Sequence, residues 1–405
     1  MSGIEITSID GGITAPRGFT AAGVACGIKA SGKRDLTLVV AERPVPAAAV
    51  FTTNLAQAAP ILVSRERLAA SGGHAAAIVV NSGCANACTG VDGMTHANAM
   101  ADLTAATLGL DPSSVLVAST GVIGVKLDMA KVERGITLAA AALSAGGGSD
   151  AALGIMTTDP FPKEAAIEVV SPKGTFRVGG IAKGSGMIEP MMATMLAFVT
   201  TDAQVEAGLL QRALRAAVDD TFNAITVDGE CSTNDCVFAL ASGASGVVLE
   251  ATDLRLLVDA LRAACEPLAI GIVRGGEGAT KLITVKVAGA RSDADAKRTA
   301  RAIANSLLVK TAIHGGDPNW GRLVAVAGRS GAAFSLDRAV VRIGPIELFS
   351  HGGPHDERAP EAAEYLKGHE IDVFVDLGTG GQGHSRIWTC DLSAEYVRIN
   401  ADYRT

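Results

Sequence analysis

Five apolar runs of this chain end in glycine-rich turns loaded with polar side chains: "NSGCANACTG" (81–90), "ASTGVIG" (118–124), "VDGECSTNDC" (227–236), "RGGEGATK" (274–281) and "IHGGDPNWGR" (313–322). Glycine at such points permits positive φ and lets backbone N–H groups come close to a ligand. A chain punctuated in this way favours a sheet-based fold whose polar groups gather at strand ends, where several loops build one composite pocket. For any single turn the competing reading is ordinary turn chemistry.

The runs themselves set the fold class. "LTLVVAE" (36–42) and "AAAIVVNSG" (75–83) read as strands, and helical periodicity covers 94–108, a segment starting near Asp128, 205–222 and 252–269. Thr252 and Asp253 stand where they can cap the last of these, and Ser292 where it can cap a helix running through "DADAKRTARAIANSLL" (293–308). From 371 onward the pattern reads as strands and turns. The expected class is α+β, mixed α/β, with layered sheets and covering helices. With 405 residues, two domains are expected, a core over 1–285 and a smaller C-terminal α/β domain over 286–405.

Composition excludes several function classes. A formal net charge of −7 and no Lys/Arg block argue against nucleic acid as a partner. No signal-peptide pattern opens the chain and no apolar run is long enough to span a bilayer, so a cytoplasmic enzyme with no membrane partner is expected. Seven cysteines, an odd number, point to reduced thiols. Neither Cys84/Cys88 nor Cys231/Cys236 has zinc-ligand spacing, so no metal is expected. "DVFVDLGTGGQG" (372–383) has the glycines of a dinucleotide loop, but the following "HSRIWTCDL" is not helical, which leaves a turn between strands. His314 reads as a structural histidine of a glycine-rich turn, with a base as the alternative.

One segment raises a chemical question. In "KGSGMIEPMMATMLAFVTTDA" (183–203), Thr194 follows the small Ala193 inside an apolar run. A threonine needs no histidine if it becomes the first residue of a chain, because its own α-amine, with a pKa of about 7.7–8.0, can then accept the hydroxyl proton. The same hydroxyl can free that amine by attacking the Ala193 carbonyl, and the β-branch restricts χ1 and so the cost of holding the attack geometry. Physics permits this reading without compelling it.

That segment, together with "FTTN" (51–54), "NSGCANACTG", "STGVIG", "GEGATK", "DPNWGR" and the ending "YVRINADYRT", resembles the ornithine acetyltransferase family, also called glutamate N-acetyltransferase or ArgJ. The resemblance runs nearly end to end. It implies a fold of the ArgJ/DmpA kind and a self-cleaving acyltransferase of arginine biosynthesis. That enzyme moves acetyl from N2-acetyl-L-ornithine to L-glutamate through an acetyl-threonine intermediate. Cleavage between Ala193 and Thr194 would give an α chain of 1–193 and a β chain of 194–405, paired as a heterotetramer.

By position, Thr120 and Gly121 match the family's oxyanion hole, while Thr157, Lys183, Thr194, Glu277, Asn400 and Thr405 match its substrate contacts. Lys183 and Glu277 supply opposite charges for substrates that share an α-carboxylate and differ at the far end; the alternative is that the two simply pair with each other. The implied chemistry needs no cofactor, and whether acetyl-CoA also serves as a donor is left open by the residues. A related N-terminal-nucleophile aminopeptidase, with water as acceptor, is the alternative enzyme. Departures from the family pattern are Cys84, where "NSGNAN" has asparagine, and Glu230, Cys231 and Cys236, where Asp and Thr are usual.

Overall fold

A computed structural model describes residues 3–189 and 195–402. The chain divides into two compact units. Among the described residues, the first comprises 3–189, 195–223 and 230–272, and the second comprises 224–229 and 273–402.

The first unit is built on strands β1 (Glu5–Ile9), β2 (Phe19–Val24), β3 (Leu36–Phe51), β4 (His74–Cys84), β5 (Val115–Val122), β6 (Lys163–Ser171), β7 (Gly174–Lys183), β8 (Leu196–Thr201) and β10 (Cys236–Ala241), with a ribbon of β9 (Gln204–Val205) and β11 (Val248–Leu249). Its nine-stranded sheet runs β1-β6-β7-β8-β10-β3-β4-β5, with β2 also on β3. The long β3 makes this possible: its first half pairs with β2 and β4 and its second half with β10.

Both faces of the central strands are covered. Ile78 and Val80 of β4 enter one core with Val39, Phe198 and Phe238, while Ala77 and Val79 enter another with Leu36, Leu38 and Val117. Strands buried on both faces read as continuous apolar runs rather than alternating ones, which is how 36–41 and 75–80 appear in the sequence. The helices are α1 (Ala59–Ala70), α2 (Gly90–Leu108), α3 (Met129–Ala141), α4 (Gly148–Ile155), α5 (Ala207–Asp220) and α6 (Leu254–Arg274). Residues of α2 and α3 line the second core, and Ala151, Ala152 and Ile155 of α4 line the first.

The second unit holds a six-stranded sheet, β15-β14-β13-β16-β12-β17. Its strands are β12 (Leu282–Ala290), β13 (Val340–Ile343), β14 (Ile346–Ser350), β15 (Gly353–Pro354), β16 (Glu370–Asp376) and β17 (Gly383–Cys390), and its helices α7 (Asp293–Ala304), α8 (Leu307–Gly315), α9 (Trp320–Arg329), α10 (Ala359–Tyr365) and α11 (Ala394–Asp402). The glycine run 378–383 is a turn between strands, as its sequence implied. The expected boundary at 285 falls inside β12, which lies whole in this unit.

Several expectations change in detail. The helix expected at 252–269 extends to Arg274, because Leu268 and Ile272 continue its buried stripe. Its entry is fixed by the Asp253 carboxylate accepting from the Glu250 N–H at 2.8 Å rather than by Thr252. The helix capped by Ser292 ends at Ala304, and Ser306 caps a new one by accepting from the Val309 N–H. The tail beyond β17 is helical, not a strand.

Asp35 holds the entry to β3. It is fully buried and accepts backbone N–H bonds from Cys26 at 2.6 Å, Gly27 at 3.0 Å and Lys29 at 2.9 Å. Burial first, and then this carboxylate, pushes the Cys26 thiol up to about 12. Asp35→Ala orphans three donors and is expected to cost roughly 3 kcal/mol or more in urea unfolding; a loss under about 1 kcal/mol contradicts this role.

Candidate active site

The glycine-rich turns of the first unit meet at strand ends. Thr120 and Gly121 lie at the end of β5, opposite Ser82 and Gly83 of the parallel β4, where the register breaks at Cys84. Gly121 has φ +128, and a Cβ there would stand 2.4 Å from the Gly83 carbonyl carbon, so only glycine fits this crossing. Ser119 donates to the Asn81 side chain at 2.6 Å, and the Asn234 amide donates to the carbonyls of Ser119 at 2.9 Å and Ala85 at 2.6 Å. Three turns far apart in sequence are thereby tied into one frame.

Lys183 is the last residue of β7 and is buried, with 8% exposure. Its ammonium donates to the Thr120 hydroxyl oxygen at 3.2 Å. That bond occupies an acceptor site on Thr120 and leaves its own O–H to donate elsewhere. A charged donor on the oxygen also polarises the hydroxyl and strengthens what it donates.

Asp159, which the sequence reading passed over, organises the next turn. Its carboxylate accepts from the Thr157 N–H at 2.9 Å, the Gly184 N–H at 2.7 Å and the Lys163 ammonium at 2.6 Å. Burial opposes its charge, but Lys183, Lys163 and the Gly184 N–H prevail and hold the carboxyl at about 2. Burial also pulls Lys163 down, against the pull of Asp159. Lys29 is drawn down to about 8, chiefly by burial, with Lys183 adding to it and Asp35 opposing. Three lysines against few ionised acids give this region a cationic character suited to an α-carboxylate.

In the second unit, Glu277 is buried and accepts from the Asn400 amide at 2.9 Å, with Asn400 on α11 also donating to the Tyr396 carbonyl at 3.0 Å. Asp391 joins the two glycine turns of this unit. It accepts from the Thr280 N–H and the Lys281 N–H, each at 2.8 Å, and its other oxygen lies 2.7 Å from Nδ1 of His314. His314 is therefore held by a buried carboxylate at the end of α8. Ala193, Thr194 and Thr405 lie outside the described residues; Met195, which follows Thr194, is buried at 3% exposure.

The Asp159–Lys163 pair yields a signed prediction. Because Asp159 titrates below its ordinary value of 3.8, its charge stabilises the fold above about pH 4, and that contribution is lost as pH falls toward about 2. Lys163→Met leaves the carboxylate buried without its closest cation and is expected to cost about 3–5 kcal/mol at pH 7. It should also move acid unfolding to higher pH, followed by circular dichroism; an unchanged acid midpoint contradicts the pairing.

Comparison with known proteins bears on this arrangement. The family model described as ArgJ family matches residues 20–405. The arginine biosynthesis bifunctional protein ArgJ of Symbiobacterium thermophilum is 50% identical over 402 residues, covering 98% of this chain and 99% of that protein. Its namesake from a Synechococcus species is 50% identical over 410 residues, covering 98% of each. A crystal structure of the Bacillus halodurans arginine biosynthesis bifunctional protein ArgJ is 46% identical with a TM-score of 0.49, covering 51% of this chain and 98% of that one. Matched along nearly its whole length by the family model and by relatives at half identity, the chain belongs to the ArgJ family.

Proposed function

We propose that this protein transfers an acetyl group from N2-acetyl-L-ornithine to L-glutamate in arginine biosynthesis, after cutting its own chain between Ala193 and Thr194. The observation that carries the reading is the full-length match to relatives named as arginine biosynthesis proteins. Thr120, Gly121 and Lys183 support it by standing together at strand ends with the donors an acyl transfer requires.

The proposed sequence of steps has two halves. The Thr194 hydroxyl attacks the acetyl carbonyl while its own α-amine takes the proton. The oxygen that becomes negative receives the Thr120 O–H and the Gly121 N–H. On collapse the carbon–nitrogen bond breaks, the proton passes to the departing ornithine amine, and an acetyl ester of Thr194 remains. Glutamate then enters with a neutral amine, attacks the ester through the same oxyanion, and leaves as N-acetylglutamate with the hydroxyl restored. Two half-reactions through one enzyme-bound acetyl imply ping-pong kinetics.

Thr157, Lys183, Thr194, Glu277, Asn400 and Thr405 are the proposed substrate contacts, with Lys183 the cation for a carboxylate and Glu277 the anion for an ammonium. No metal or organic cofactor takes part in the proposed steps. Acetyl-CoA as a second donor to glutamate, a cytoplasmic setting and assembly of two α and two β chains belong to the same proposal. Native mass spectrometry of the purified protein tests the assembly.

Thr194→Ala is expected to leave one full-length species in denaturing mass spectrometry and no detectable transfer; two normal fragments from that variant end the assignment. Thr120→Val removes one oxyanion donor and should lower kcat by about 10²–10³-fold with little change in cleavage-independent folding. A drop of less than about threefold would remove Thr120 from the reaction.

A further inference from the structure

Away from the candidate active site, the first unit carries a cleft of about 520 Å³, bounded by β3, the β9–β11 ribbon and the start of α5. That volume lies in the range of small-molecule sites, roughly 300–1,000 Å³. Its β3 wall is the stretch Arg43-Pro44-Val45-Pro46. The pairing of β3 with β4 steps there from Val40 opposite Ala77 to Val45 opposite Ala75, so β3 bulges away from its neighbour. Pro44 and Pro46 fix φ and carry no N–H, which makes the bulge a stiff wall without donors to pair another strand. Val45, Val205, Leu209 and Leu249 supply a buried apolar floor.

The charges around this floor do not cancel. Arg43 and Arg212 both line the cleft, and neither guanidinium has a hydrogen-bond or ion-pair partner among the described residues. Arg212 follows Leu209 by three residues on α5, so cation and floor share one helix face. His74, also in the lining, has Nδ1 3.2 Å from the Gly72 carbonyl oxygen, and its Nε2 has no partner among the described residues. The two acids of the lining are already engaged. The Glu206 carboxylate accepts from the Gly208 N–H at 3.3 Å as the cap of α5, and Glu250 lies 3.8 Å from the Lys173 ammonium. What stays unanswered is positive: two planar forks of N–H donors, a geometry that matches carboxylate and phosphate oxygens, beside a concave apolar floor.

The cleft is separate from the candidate active site. β8 and β10 run parallel, with Leu196 beside Cys236 at one end and Thr201 beside Ala241 at the other. Lys183 pairs with Leu196, whereas Ala241 lines the cleft. The length of β8 therefore stands between the two places, about 17 Å at a rise of roughly 3.3 Å per residue. We propose that the cleft is a second binding site, for a small organic dianion. The ligand is a phosphate monoester or a dicarboxylate whose charged groups meet Arg43 and Arg212 and whose carbon body lies on Val45, Leu209 and Leu249. This assignment stands whether or not the acetyl-transfer reading does.

Isothermal titration of the purified protein with adenosine monophosphate and, separately, with malonate distinguishes the two ligand sources, with sodium chloride at matched ionic strength as the control. Saturable binding of at least one probe, with a dissociation constant of about 1 mM or lower, is expected. Replacing both cations, Arg43→Gln with Arg212→Gln, should weaken that binding about tenfold or more, the weight of a lost charge-assisted hydrogen bond, and leave acetyl transfer intact. No saturable binding of either probe by the wild type overturns the proposal, and so does equal binding by the double variant. Loss of acetyl transfer in a folded double variant places the two arginines in the transfer site and overturns it too.

A second variant leaves both arginines in place. Val248 of β11 lines the cleft and is half-exposed, so Val248→Trp puts an indole into the space without burying a new charge. Binding should be lost in V248W by exclusion, while circular dichroism shows the fold retained; a V248W protein that binds the probe as tightly as the wild type contradicts the cleft as the site. The probe that binds should also raise the melting midpoint of the wild type and leave that of the arginine double variant unmoved, because a ligand of the folded state alone stabilises it.

Discussion

Strands buried on both faces leave a charge nowhere to go except their ends. In the first unit, β3, β4 and β5 pass between two apolar cores and β8 and β10 are buried along their whole lengths, and an ionised group in mid-strand would lose its hydration with nothing to replace it. Lys183 closes β7, Thr120 and Gly121 close β5, and Asp235 opens the approach to β10. The sheet order sets β8 between β7 and β10, so groups from three strand ends converge on the residues that begin β8. The location of the proposed chemistry follows from the packing.

Two carboxyls near the same lysine illustrate how local partners decide protonation. Asp159 has a second ammonium, Lys163, and two backbone N–H groups, enough to outweigh burial and keep it charged. Asp235 feels Lys183 too, but only one backbone N–H and one hydroxyl assist, and burial prevails. One carboxyl is thus a fixed negative anchor for the Thr157 turn, while burial holds the other above the ordinary carboxylate range. Two like groups near one lysine are pushed apart by the partners each has.

Much of the frame was legible in the sequence. Strand runs 36–42 and 75–83 stand out because two-sided burial removes polar residues from them, and α5 and α7 announce themselves by leucine spacing or by Ser292 at the cap. The glycine turns were legible as turns, and Thr120, Gly121 and Lys183 by resemblance. What stayed hidden depends on contacts distant in sequence. The break at Ser306 sits in a stretch with good helical periodicity on both sides, and α11 carries too few apolar residues to show a stripe. Asp159 and Asp235 lie in polar turns, where a charged residue is ordinarily solvated, and the burial of those turns shows only in the folded chain. The lone lysine four residues after Asp159 was the one available hint.

The account depends on Thr194 becoming the first residue of a chain and carrying the acetyl group. The most direct measurement is peptide mass spectrometry of the protein quenched after brief exposure to N2-acetyl-L-ornithine without glutamate. A fragment beginning at Thr194 with one added acetyl on that residue, discharged when glutamate is supplied, is the predicted result. An unbroken chain through that position in active protein, or an acetyl group found only on another residue, contradicts it.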